Sequence, residues 1–338
     1  MKSIAQRTPF PVPHMKTSTR TPGLRAPQRR CHLIKPCTVL LTLALCAAMQ
    51  VRAADTGKTF ATPEEAVSAL VTATSERSGT DLRAIFGPAA AELQNPDRVQ
   101  ATNEFRSFRS ALAETNRLVH ETDTKYVLEV GTNSWPFPVP IVKKDGGWFF
   151  DTEAGKEEIL SRRIGKNELA TLEVMRGYVE AQREYASRDR TGDQVLEYAQ
   201  RIASTPGTKD GLYWPPELDG EISPLGPMVA EAQAQGYTVR AKGQESTRMP
   251  FHGYFFKILT RQGKHAPGGK YCYVINGHMI GGFAMVAWPA EYGDSGIMTF
   301  IVNQQGRVYQ KDLGPKTGKL APEMKAYDPD SSWSLSPD

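Results

Sequence analysis

Gly293-Asp294-Ser295-Gly296 sets a serine between glycines, a setting in which a hydroxyl can attack a carbonyl while backbone N–H groups hold the oxyanion. Such a nucleophile needs a histidine base. Of six histidines, His14 and His32 lie in the first 53 residues, leaving His120, His252, His265 and His278. A hydrolase reading therefore uses Ser295 or a His252/His278 site, whereas the same four residues between two strands make a turn. His252, His265, Cys272 and His278 are of zinc-binding types at separations of 13, 7 and 6 residues. Structural zinc sites usually have closer pairs, so these four would meet only if successive strands shared a register. Asp328 and Asp330 offer carboxylates to calcium, which takes about six to eight oxygens, and a C-terminal turn accounts for them equally. Tyr213, Trp214, Tyr254, Phe255, Trp288 and Tyr292, with His252, are the candidate lining of a groove for a peptide or glycan. No catalytic, cofactor or metal residue is assigned from these patterns.

The elements that must position these residues fall into two groups. In the first, Thr62 can cap a helix with Pro63 at its first turn and Glu65 completing the box, and Val67, Leu70, Val71 and Thr74 form its apolar stripe. A short helix follows near Asp81–Phe86, and a third runs from Asn95-Pro96 towards Leu118. Strands are expected over 125–130, 137–144 and 147–151, with Asp145-Gly146 as a hairpin turn and prolines 136, 138 and 140 marking an edge. Residues 152–189 read as a join and then a long helix bearing Leu169, Leu172, Met175, Val179, Gln182 and Tyr185 on one face. A shorter helix and a loop rich in Gly and Pro come next. Five strands complete the second group, at 253–260, 270–275, 279–288, 297–303 and 307–313, with Asn276-Gly277 as the best two-residue turn. The 279–288 strand is apolar on both faces and is expected to be central, and its glycine pair suggests a bulge or a close backbone approach.

Charge and cysteine usage bear on compartment. Nine of the 41 basic residues and none of the 37 acidic ones lie in residues 1–53, so the remainder carries 32 basic against 37 acidic residues. That balance argues against nucleic acid or an anionic membrane as partner. Residues 1–53 read as an export signal: a basic segment, the apolar run Thr38–Met49 and a small-residue cleavage site at Ala53. Twelve such residues are too few to span a bilayer. Arg29-Arg30 partly matches a twin-arginine signal, and Leu43–Cys46 partly matches a lipoprotein box that would anchor the chain at Cys46. Beyond the signal only Cys272 remains, so the exported chain has no internal disulfide.

The blocks "WPFPVPIVKKDGGWFFDTEAGKEEILSRRIGKNEL" (135–169), "PFHGYFFKILTRQG" (250–263), "GGFAMVAWPAEYGDSGIMTFIVNQQGRVYQKDLG" (281–314) and "YDPDSSW" (327–333) resemble the bacterial family called domain of unknown function 2950. This resemblance implies an exported protein without an assigned activity. Helices followed by an antiparallel sheet in the first part resemble the NTF2-like or cystatin-like class. "NELATLEVMRGYVEAQREYA", "HGYFFKIL" and "MTFIVNQQGRVY" resemble the soluble part of type IV pilin-like proteins. A pilin has an apolar membrane half before its helix, whereas here the polar "KEEILSRRIGK" precedes it. Together these features predict an α+β protein with a signal at 1–53, one domain over 55–163 and a pilin-like domain over 164–338. The expected role is a periplasmic or secreted, non-enzymatic module that binds an envelope protein, peptide or glycan. Hydrolysis and filament assembly are the alternatives.

Overall fold

A computed structural model of the chain describes residues 57–238 and 249–337. The export segment read over 1–53, including Cys46 and Ala53, lies outside them. The first helix, α1 (Pro63–Ser75), begins where its cap dictates: the Glu65 N–H donates to Thr62 Oγ1 at 3.2 Å, and Glu65 Oε2 accepts from the Ala61 N–H at 3.0 Å. It is followed by α2 (Gly79–Phe86) and α3 (Arg98–Glu114), the latter capped by Asp97. Helix α3 stops short of Leu118. Residues Asn116–Thr122 instead form β1, pairing with β2 (Lys125–Val130), because ladder partners across the hairpin outweigh one more helical turn.

Strands β3 (Trp135–Pro136), β4 (Ile141–Lys144) and β5 (Gly147–Phe150) complete an antiparallel sheet of order β1-β2-β4-β5, with β3 also on β2. Pro138 and Pro140 fall before β4, which lies inside the sheet and not at its edge. Between β4 and β5, Asp145 and Gly146 both take positive φ, 52° and 85°, as a two-residue hairpin of this hand requires.

Helix α4 (Thr152–Tyr185) starts directly after β5, with the Asp151 carboxylate accepting from the Ala154 N–H at 3.0 Å. The stretch read as a join is thus its first turns, and its 34 residues span roughly 50 Å. Gly155 permits that start, since a Cβ there would stand 2.9 Å from the backbone of Val139. Leu169 is exposed, whereas Leu172, Met175, Tyr178, Val179, Gln182 and Tyr185 are buried.

The shorter helix expected after residue 190 is absent. Asp189 accepts from the N–H groups of Thr191, Gly192 and Gln194, and these bonds offer the backbone an alternative to helix. A helix forms further on, α5 (Gly226–Ala234).

The last part contains β6 (Tyr254–Leu259), β7 (Arg261–Gln262), β8 (Tyr271–Cys272), β9 (Val274–Ile275), β10 (His278–Met279), β11 (Ala284–Pro289), β12 (Met298–Asn303), β13 (Tyr309–Asp312), α6 (Thr317–Glu323) and β14 (Ser334–Leu335). The main sheet has the order β14-β13-β12-β11-β6, all antiparallel. All six residues of β11 are buried, so both its faces are covered; α4 and α6 each pack against it. Lys257 on β6 donates to the carbonyls of Pro322 and Met324 at 2.6 and 2.8 Å, placing a cation at the C-terminal end of α6.

The strand expected over 279–288 is divided. His278–Met279 turns back on Val274–Ile275, and Gly281-Gly282 leads into β11. A Cβ at Gly281 would lie 3.0 Å from the Cys272 carbonyl, so this glycine serves a close backbone approach to the neighbouring hairpin. The molecule is α+β, with two apolar clusters. One joins Leu70, Leu112, Leu128, Ile141 and Phe150, and the other joins Met175, Tyr178, Tyr254, Phe283 to Trp288 and Phe300 to Val302. Helix α4 serves both, with Ile159 packed on the first and Leu172 to Tyr185 in the second.

Candidate functional site

Ser295 is not presented as a nucleophile. It is fully buried, and its hydroxyl is bonded inside its own turn, accepting from the Glu291 N–H at 3.0 Å and donating to the Glu291 carbonyl at 3.1 Å. Asp294 is also occupied. Arg163 of α4 donates to its carboxylate and to the carbonyls of Leu93 and Gln94.

Around this turn the two parts of the chain are joined by buried polar groups. Asn167 Nδ2 donates to the Ser295 carbonyl at 2.9 Å, and Asn167 Oδ1 accepts from Gln100 Nε2 at 2.8 Å. Glu168 accepts from the N–H groups of Ile297 and Met298, each at 2.9 Å. Asp97 caps α3 with one oxygen and with the other accepts from the Tyr237 hydroxyl at 2.7 Å and the Gly253 N–H at 3.2 Å. Gly253, at φ 73°, is required: a Cβ there would stand 2.5 Å from Asn167 Nδ2. Burial pushes the phenols of Tyr237 and Tyr254 upward, and the neighbouring carboxylates of Asp97 and Glu168 add to it. Burial holds the His252 imidazole below its ordinary value. The chemistry of this corner is spent on matching its own groups.

The seven groove residues separate. Trp214, Tyr254 and Trp288 are core residues at 1%, 0% and 2% exposure. Arg190 and Lys209 lie over the Trp214 ring, each 5.4 Å from its centre, and its indole N–H donates to the Glu221 carbonyl. Tyr213 is half-buried and forms a backbone bridge with Ala203. The Tyr254 hydroxyl donates to the Met298 carbonyl, and Trp288 packs on Phe255. Tyr292 donates to Asp312 at 3.1 Å, and His252 packs against Phe251 and Tyr237. The four zinc-type residues also stay apart: His265 pairs with Asp328 at 3.2 Å, Cys272 is exposed on β8, and His278 instead meets two carboxylates, Asp193 and Glu197. Asp330 is bonded to Ser332 in a C-terminal turn.

Among the described residues, a partly open cavity of about 200 Å³ beneath α5 is lined almost entirely by apolar groups. Its walls include Tyr178 of α4, Met228 of α5, Phe256 of β6 and Met285 of β11, together with Met249 and Phe251. The Met228 methyl lies over Gly177 of α4, where a Cβ would stand 2.4 Å from it. An engineered apolar cavity of roughly 150 Å³ holds a benzene ring, so this one has room for a single aromatic or branched aliphatic group. Three methionines among its walls, Met228, Met249 and Met285, give it an adaptable, polarisable lining. Of its aromatic lining residues, none belongs to the seven predicted from sequence. Met228 within α5 and Met249 shortly before β6 were the available signal.

Two comparisons find no counterpart: no curated protein and no solved structure matches this chain. A family model does match, over residues 57–335, and its description is "Protein of unknown function (DUF2950)".

Proposed function

We infer that this chain, which belongs to the DUF2950 family, is an exported, non-enzymatic binding protein of the cell envelope that takes one apolar side chain of a peptide or protein partner into the cavity beneath α5. The observation that carries this reading is the cavity itself, an apolar space with a methionine-rich wall. A glycan fits less well, because a sugar ring would bring hydroxyls into a wall with few polar partners. Export is supported by the basic and apolar pattern of residues 1–53. The long helix laid on an antiparallel sheet supports the pilin-like comparison for residues 164–338, and the two apolar clusters support reading 55–163 and 164–338 as modules that share α4. No helix among the described residues is long and apolar enough to cross a membrane.

The test uses short Gly-Ser peptides that carry one Leu, Met or Phe, titrated against the chain by fluorescence anisotropy. Binding should require the apolar residue, weaken at least tenfold when Met228→Trp fills the cavity, and persist in Ser295→Ala. Binding indifferent to Met228→Trp would refute the site. Export is tested separately, by the N-terminus of the envelope-fraction protein, which should begin at Ala54.

A further inference from the structure

We propose that Asp193, Glu197 and His278 form a site for a first-row divalent metal ion of the zinc class. The two carboxylates come from the loop after α4, and the imidazole from the first residue of β10. One donor atom from each residue lies within 4.8 Å of the other two. His278 Nδ1 stands 3.5 Å from Asp193 Oδ2 and 3.4 Å from Glu197 Oε2. Charge-assisted hydrogen bonds are shorter, about 2.7–2.9 Å. Two ligands each about 2.0–2.1 Å from a tetrahedral ion stand roughly 3.3–3.4 Å apart, close to the two distances from His278. The two contacts lie within ion-pair range but are longer than charge-assisted hydrogen bonds, and they leave room for an ion between the three donors.

The donors are also held from behind. Asp193 Oδ1 accepts from the Val195 N–H at 2.9 Å, leaving Oδ2 turned to the histidine. Glu197 Oε2 accepts from the Met279 N–H at 3.2 Å. The loop and the hairpin are joined beside the site by the Tyr198 N–H donating to the Met279 carbonyl at 2.8 Å and by Gln200 Nε2 donating to the Gly277 carbonyl at 2.6 Å. Asn276 and Gly277, both at positive φ, fix the turn that presents His278. Backbone support of this kind orients metal ligands in known sites.

The donor set selects the ion. Two carboxylates and a neutral imidazole balance a divalent charge, and an imidazole nitrogen favours zinc-like ions over magnesium or calcium. Three protein donors fall short of the six or more oxygens that calcium takes. The side chains of Asp193 and His278 are 37% and 32% exposed, so solvent can reach the remaining coordination position. A bound ion would tie the 189–198 loop to the β9–β10 hairpin.

Zinc chloride titrated into the untagged chain by calorimetry tests this. One ion should bind per chain, with affinity reduced at least tenfold by His278→Ala and by Glu197→Gln, and unchanged by His265→Ala. No binding, or binding equal in wild type and both variants, overturns the proposal. Should either variant fail to fold by circular dichroism, manganese added to the isotopically labelled wild type decides the matter. Amide signals of 193–198 and 276–279 should broaden first, and broadening centred on His265 or elsewhere overturns the site.

Discussion

Two regions that both carry chemistry-bearing residues end differently. In the corner around Asn167 and Ser295, nearly every buried polar group has a partner inside the protein, and a glycine is needed to let the backbones approach. Beneath α5, apolar groups from several segments line a partly open space that no described side chain fills. A region closed on itself is architecture, and a region with unmet surface is where a ligand can gain free energy. Residue types alone point the other way, since the corner holds serine, aspartate and histidine and the cavity holds methionine and phenylalanine.

Breaking the corner should have the largest effect. Asn167→Ala leaves the Ser295 carbonyl and the Gln100 amide buried without their partner, and should cost about 3 kcal/mol in urea unfolding. A loss under about 0.5 kcal/mol would mean that the corner is not held by these bonds. Asp97→Ala removes a helix cap and a bond to Tyr237, for an expected loss of about 2 kcal/mol by the same measurement. Ser295→Ala removes only the bonds within its turn. It should cost about 1 kcal/mol and leave peptide binding at its wild-type value.

The smallest effect is a pH dependence. The His252 imidazole is held below its ordinary value of 6.5 by burial, with Lys166 adding to that and Asp97 opposing it. The unfolded chain therefore binds this proton at a higher pH than the folded one. The contribution of His252 to stability is complete above about pH 6.5 and is lost as pH falls through the folded value. Urea midpoints measured from pH 7.5 to 5 should fall less steeply in His252→Asn than in wild type. Equal slopes would show that the histidine is not buried in solution.

Much of the local structure was legible because its causes are local. Thr62 and Glu65 fix the start of α1, and Asp145-Gly146 and Asn276-Gly277 fix their hairpins through positive φ. The unbroken apolar run of β11 showed a strand covered on both faces. What escaped the sequence depends on distant partners. β1 was hidden because its ladder with β2 competes with one more turn of α3, and the loop after α4 because Asp189 draws backbone donors to itself. The candidate sites escaped for the same reason, more strongly. Asp97 meets Gly253 across 156 positions, and His278 meets Glu197 across 81. The cavity walls Tyr178, Met228, Phe251 and Met285 share no period or motif.

The methyl signals of the methionines test the central claim most directly. In a chain labelled at methionine methyls and titrated with the leucine-bearing peptide, Met228, Met249 and Met285 should shift together and saturate, while Met298 and Met324 stay in place. Saturable binding whose shifts fall on Met298 or Met324, with the cavity methionines unmoved, would contradict it.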